Sequence, residues 1–257
     1  MALSMLTVGD GPRTTVLLHG FLGSGRNLMG LARLWAAREP SRRFLLPDLT
    51  GHGASPPLPP GATLETLSDD LLASLGDVAD MELCGHSLGG RVALSAYAKA
   101  PERVRGLVLL DIAPGPIPRR ISESARVLEA LLAAPSTAPD RETMRTALSR
   151  FGLSAGVVEW MLTNLRSGGE GYVWRIDARA LHDALPHVQS QDLWPVVEQA
   201  RVPIHAVRGG RSPYVDDADV ARLQACGVRV DTLPEAGHYV HVDAPAALVA
   251  LLAGATP

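Results

Sequence analysis

The sequence predicts an α/β fold: a mostly parallel sheet with helices on both faces and a helical lid inserted between two strands. Three observations predict it. Short, bounded apolar runs alternate with longer helical stretches, the pattern of a parallel sheet covered on both sides. The runs are apolar at successive positions rather than at every second one, as strands buried on both faces are. One interval of about 85 residues, from Pro116 to Ala200, breaks the rhythm with no convincing strand, well beyond an ordinary connection.

In chain order, the strand signals are Thr15–Leu18, ending at His19-Gly20; Arg43–Leu46, ending at Pro47-Asp48; and Met81–Cys84, ending at Gly85. Leu107–Leu110 runs into Asp111, Ile204–Val207 into Arg208-Gly209-Gly210, and Val228–Leu233 ends at Pro234. Helical stretches lie between them at Asn27–Arg38, Leu64–Leu75, Gly89–Ala100 and Asp217–Cys226. Asp243 is a good N-cap for a last helix, Ala244–Leu252. The long interval carries helical patterns at Ile121–Ala133 and Glu142–Arg150 and three of the four tryptophans, Trp160, Trp174 and Trp194. Residues 1–115 and 201–257 are therefore expected to form the core, and 116–200 a helical cap. A small second domain of unrelated role is the alternative. Pro56–Pro60 reads as a loop.

The chain has 257 residues, 46% of them hydrophobic and 20% charged, which is globular composition. A formal net charge of −3 gives no bulk electrostatic case for nucleic acid or an anionic membrane. The first residues lack the basic-then-apolar pattern of a signal peptide, and no apolar run reaches the roughly 18 residues of a membrane span. A cytoplasmic protein is the expectation. The two cysteines imply no disulfide framework, and Cys84, in an apolar run, reads as a buried free thiol. No zinc-ligand spacing occurs, since the pair His238 and His241 stands alone.

The chemistry centres on Gly85-His86-Ser87-Leu88-Gly89-Gly90, a G-x-S-x-G segment between a strand signal and a helix signal. Its glycines permit a sharp strand-to-helix turn that presents a strained, exposed serine. A serine hydroxyl is a poor nucleophile without a base in reach. His238, in Ala236-Gly237-His238-Tyr239, lies between the last strand and the last helix, where that base belongs; His241 is its close rival. A carboxylate must orient the histidine. Asp111, directly after a strand, is the choice and Asp216 the alternative; Ser212 stands where a later-strand acid would be expected. Donors for a developing oxyanion are expected from the backbone N–H of Leu88 and, in the loop His19-Gly20-Phe21-Leu22-Gly23, from that of Phe21. His19 and His86 lie beside this site and are read as packing or hydrogen-bonding residues. The second glycine loop, Asp48–Ser55, reads as scaffold.

Taken together, HGFLGSG, DLTGHGASP, GHSLGG, LLDIAP, RGGRSPYV and AGHYVH resemble the α/β-hydrolase superfamily, in an order that covers nearly the whole chain with only the lid divergent. The Asp-Ile-Ala-Pro and Gly-Gly-Arg-Ser-Pro-Tyr-Val segments are similar to the YbfF-type bacterial esterases, whose acid sits on the earlier strand. The resemblance implies an α/β-hydrolase fold, the triad Ser87, Asp111 and His238, and hydrolysis of small acyl esters, with thioesters as a further class. It implies no metal or organic cofactor, and a small-molecule ester as the partner. Trp160, Trp174 and Tyr239 are candidate walls of the acyl site. In the lid segment Tyr172–Asp177 the group would carry asparagine at position 177, a departure that bears on substrate preference. GHSLGGR also resembles the menaquinone-pathway lyase that eliminates pyruvate, in which Arg91 would hold a substrate carboxylate. A non-catalytic binding protein on the same fold is a third reading. Dehalogenases and epoxide hydrolases need an aspartate at the position of Ser87.

Overall fold

The computed structural model describes residues 2–118, 122–169 and 171–253. In chain order the elements are β1 (Met5–Val8), β2 (Arg13–Leu18), α1 (Gly25–Arg38), β3 (Arg42–Pro47), α2 (Leu64–Ser74), β4 (Met81–His86), α3 (Leu88–Lys99) and β5 (Val104–Leu110). The insertion follows with α4 (Glu123–Ala133), β6 (Thr137–Ala138), α5 (Arg141–Ser149), α6 (Ala155–Leu162), β7 (Leu165–Gly168), β8 (Gly171–Trp174), α7 (Ala178–Gln189) and α8 (Trp194–Glu198). The chain then completes the sheet with β9 (Ile204–Gly209), α9 (Asp217–Ala225) and β10 (Arg229–Leu233), and closes with α10 (Val240–Asp243) and α11 (Pro245–Ala253).

The main sheet has seven strands in the order β1-β3-β2-β4-β5-β9-β10. It is parallel except for β1, which pairs antiparallel with β3. Successive strand residues point to opposite faces, and the apolar runs feed two cores. Val16, Leu18, Leu83, Leu107 and Leu109 pack under α2, α3, α8 and α9. Leu17, Cys84, Val108, Leu110 and Val207 pack under α1 and α11. Leu18 pairs with Gly85, His86 with Leu110, and Leu110 with Val207. The loops bearing Phe21, Ser87, Asp111 and Ser212 therefore leave the sheet side by side at its carboxyl edge. The strand order reverses between β2 and β4, and ligands of open α/β sheets bind at such a switch point.

Four features differ from the sequence reading. The edge strand β1 is a four-residue segment in which Thr7 interrupts the apolar residues and none is fully buried, so the both-faces-buried signature misses it. The insertion is not wholly helical: β6, β8 and β7 form a small antiparallel sheet beside its helices. These strands are two to four residues long and leave too little periodicity to read. Leu193, Trp194 and Val197, near the end of the expected cap, pack in the main core rather than with the cap's own cluster. Asp243 ends the one-turn helix α10 instead of capping the last helix, and its carboxylate accepts the N–H of Gly237 at 2.8 Å. The first lid helix begins at Glu123; Ile121, its expected start, lies outside the described residues. Cys84 is buried and neither cysteine is in a disulfide.

Candidate active site

Ser87 sits between β4 and α3 with φ 52° and ψ −114°, a conformation that costs a non-glycine residue of order 1–3 kcal/mol. The surroundings hold it there: its N–H donates to Leu110 O at 3.1 Å, and its carbonyl accepts from Gly90 N at 3.0 Å. The flanking glycines answer to contact rather than to φ. A Cβ on Gly85 would lie 2.2 Å from the carbonyl carbon of Gly89, and one on Gly89 would lie 2.3 Å from Leu18 O. The turn closes only without them. Leu88 opens α3, so its N–H has no intrahelical acceptor. Among the described residues neither this N–H nor that of Phe21 donates a hydrogen bond.

Asp111 directly follows β5 and is fully buried. Its Oδ2 accepts from His238 Nδ1 at 2.7 Å and from the Ser212 hydroxyl, and its Oδ1 from Gly209 N–H at 2.8 Å. Ser212 thus stands where the alternative acid would be and serves the one that is present. Asp216 is elsewhere, capping α9 through Asp219 N–H. The carboxylate fixes the tautomer of His238: Nδ1 carries the proton, leaving the lone pair on Nε2. The ring is also held by its faces and its backbone. Tyr214 stacks on it at 3.9 Å between centroids and 18° between planes, and His86 Nε2 donates to His238 O at 2.8 Å.

These groups border an open cleft. His238, Ser87, Phe21, Trp160 and Tyr239 all line it, so the structure brings these sequence-predicted residues together. Among the described residues Ser87 Oγ makes no hydrogen bond. His241 also faces the cleft but has no carboxylate, and its Nδ1 is buried without a partner. Burial first, then the neighbouring His238, lowers its pKa to about 4. His19 supports the Phe21 loop: Nδ1 donates to Gly20 O at 2.8 Å and Nε2 accepts from Leu49 N–H at 2.9 Å. Burial lowers its pKa to about 4 as well.

Two expected residues have other occupations. Trp174 lies on β8 away from the cleft, its indole donating to Pro135 O at 3.0 Å. Arg91 is fully buried. Its Nε donates to Val188 O and Nη1 to Gly115 O at 2.9 and 2.8 Å, and Nη2 donates to Gln191 O at 2.5 Å. All three nitrogens are engaged with backbone, so the guanidinium ties the two ends of the insertion to α3 and is not presented to a substrate carboxylate. Asp177 caps α7, accepting from the N–H of Arg179 and Ala180. No sequence signal marks Glu123 as a site residue. Its N–H donates to Tyr214 OH at 2.9 Å, its carboxylate accepts from Tyr239 OH at 3.2 Å, and it joins the lid to the His238 loop. Among the described residues no group of three His, Cys, Asp or Glu side chains is arranged to hold a metal ion, and no helix is long and apolar enough to cross a membrane.

A doubly wound sheet with a strained serine at a strand-to-helix elbow, and a carboxylate-bound histidine in the same cleft, defines the class of proteins built around a nucleophile elbow. The sequence matches the alpha/beta hydrolase family over residues 15–251, and the chain belongs to that family. It is 33% identical over 245 residues to the sn-1-specific diacylglycerol lipase ABHD11 of Mus musculus, covering 90% of this chain and 76% of that one. It is 28% identical over 239 residues to Esterase YbfF of Escherichia coli, covering 91% and 89%. A solved marine microorganism esterase shares the fold at a TM-score of 0.89 and 24% identity, over 98% of both chains. The chain is an esterase- and lipase-like α/β hydrolase.

Proposed function

We propose that the chain is a serine carboxylesterase that hydrolyses small acyl esters, with thioesters as a further class, through an acyl-enzyme on Ser87. The observation that carries this reading is the 2.7 Å contact of His238 Nδ1 with Asp111, in the cleft that Ser87 shares. Substrate brings the serine hydroxyl onto Nε2, since catalytic hydrogen bonds often tighten only in the complex. Ser87 Oγ attacks the ester carbonyl as His238 takes its proton. Asp111 stabilises the resulting imidazolium, and the N–H groups of Phe21 and Leu88 receive the oxyanion. His238 then protonates the departing alcohol. In the second half it deprotonates water, which attacks the acyl-enzyme and releases the acid. The steps use this chain's own groups and need no cofactor. Pyruvate elimination would require Arg91 free to grip a carboxylate, and its three backbone bonds argue against that.

The test pairs p-nitrophenyl ester hydrolysis with fluorophosphonate labelling. Wild type is expected to turn over short esters and to label at Ser87, and Ser87→Ala to do neither. Asp111→Asn is expected to lose about three to four orders of magnitude in kcat. A wild-type protein inert to every ester and to the probe would sink the reading and favour a binding role. Full activity in Asp111→Asn would move the acid elsewhere.

A further inference from the structure

The cleft that holds Ser87 carries one formal charge on its walls. Among the described residues that line it, Glu123 is the only Asp, Glu, Lys or Arg. This side chain is half-buried in the first turn of α4. Its Oε2 accepts from Tyr239 OH at 3.2 Å, and neither oxygen meets a cation among the described residues. The histidines of the wall do not offset the charge. Burial lowers the pKa of His19 and His241 to about 4 and holds that of His86 well below its usual range, so the three rings are neutral near pH 7. Tying the lid to Tyr239 needs only an acceptor, which a glutamine would supply equally well. The charge itself has no partner.

The position of Glu123 decides which half of an ester it meets. The departing oxygen takes its proton from His238. Glu123 hydrogen-bonds both rings that flank this histidine: its N–H donates to Tyr214 OH, and its carboxylate accepts from Tyr239 OH. Tyr214 stacks on His238, and the Tyr239 ring lies 5.3 Å from it between centroids. The carboxylate therefore stands on the leaving-group side of Ser87. Trp160 and Tyr239 pack against each other there, 5.8 Å between centroids and 56° between planes, and both line the cleft. A carboxylate beside aromatic rings is the chemistry that recognises an ammonium, because the rings attract a cation and a cleft of one sign concentrates the opposite charge.

We infer that the cleft selects esters whose alcohol half carries an ammonium or quaternary ammonium group close to the departing oxygen, with Glu123 as its counter-charge and Trp160 and Tyr239 as its aromatic walls. The inference rests on the Ser87–His238 reading above. Glu123 acts on specificity and moves no proton, since His238 Nδ1 is already held by Asp111. Hydrolysis breaks the bond between the acyl carbon and the alcohol oxygen. Water supplies the hydroxyl of the acid and the proton of the amino alcohol, and the cation leaves unchanged. An alcohol half bearing a sulfonate or carboxylate meets Glu123 as a like charge and is a poor substrate.

The experiment measures kcat/KM by pH-stat on three butyrate esters of similar size: butyrylcholine, its neutral isostere 3,3-dimethylbutyl butyrate, and 3-sulfopropyl butyrate. Wild type, Glu123→Gln and Trp160→Leu are compared. Wild type is expected to favour the choline ester over the isostere by at least about fivefold, and the isostere over the sulfonate. Glu123→Gln keeps an acceptor for Tyr239 OH and is expected to lower the choline-to-isostere ratio at least about fivefold, with Trp160→Leu lowering it in the same direction. The same folded molecules turn over both esters, so partial unfolding does not move this ratio. A wild-type ratio of about threefold or less, a sulfonate ester turned over as fast as the choline ester, or a ratio in Glu123→Gln within about twofold of wild type would overturn the inference. In each of these cases turnover of p-nitrophenyl acetate would leave the hydrolase reading intact. No turnover of any ester, with no fluorophosphonate label, would remove both.

Discussion

Ser212 is the residue whose role the structure changes most. Its hydroxyl donates to Asp111 Oδ2, the same oxygen that accepts from His238 Nδ1. A hydrogen bond to an ionised acceptor is stronger than a neutral one, and this one helps keep a fully buried carboxylate aimed at the imidazole. Ser212→Ala is expected to lower kcat about tenfold, equivalent to about 1.4 kcal/mol, with KM little changed. Steady-state kinetics on a short ester checks it, and a loss confined to KM would mean that Ser212 acts on substrate instead. The residue also marks how far single positions are legible. Ser87, Asp111 and His238 stand out because each follows a strand signal at a turn, where topology requires a functional side chain to emerge. Ser212, Tyr214 and Glu123 do not, because their partners lie 101, 91 and 116 residues away: Ser212 to Asp111, Tyr214 to Glu123 and Glu123 to Tyr239 set those separations. Ser212 could be noticed only as a missing aspartate.

At the scale of elements, the joint between α3 and the insertion is the feature most exposed to failure. Arg91 reaches from the first turn of α3 to Gly115, where the insertion begins, and to Val188 and Gln191, where α7 ends. Burial lowers its pKa to about 10, and Asp192 partly offsets this, so the charge persists at neutral pH. Arg91→Leu would leave three carbonyls without their donor, at a cost of roughly 3 kcal/mol or more. At about 2–4 °C per kcal/mol for a chain of this size, Tm is expected to fall by about 6–12 °C, with faster proteolysis near residues 115 and 190. Calorimetry and limited proteolysis check this; an unchanged Tm would show the joint to be held by apolar packing alone. The core helices α1, α2, α3 and α9 fall within two residues of their sequence signals, and six of the seven main-sheet strands carry theirs, whereas α6 and α7 in the insertion match no signal. A helix carries its apolar stripe within one segment. The three lid strands and β1 are stabilised by their partners across the sheet, so their sequences carry little of the pattern.

At the scale of the whole molecule, both faces of the sheet and the carboxyl-edge cleft were legible in outline, because bounded apolar runs report burial directly. The lid side of the cleft was not, because it depends on how α4 and α6 bring Glu123 and Trp160 against Tyr239, a matter of packing between distant segments. Deep packing also makes the molecule sensitive to acid. His19, His52 and His241 are buried, and burial lowers them to about 4, 3 and 4 respectively. In the unfolded chain each titrates near 6.5. Between about pH 6.5 and 4 the unfolded state therefore binds more protons than the folded one, so stability is full above this window and is lost as pH falls through it. His241 gives the cleanest test, because its buried Nδ1 has no partner to lose. With a folded pKa of about 4, it alone removes about 2.5 kcal/mol between pH 7 and 4.5. His241→Phe, which keeps a ring of similar shape against His86, is expected to retain about 5–10 °C more of its Tm over that interval than wild type does. Calorimetry at pH 7 and 4.5 decides it: parallel losses in the two proteins would mean that His241 takes up its proton in the folded state without penalty.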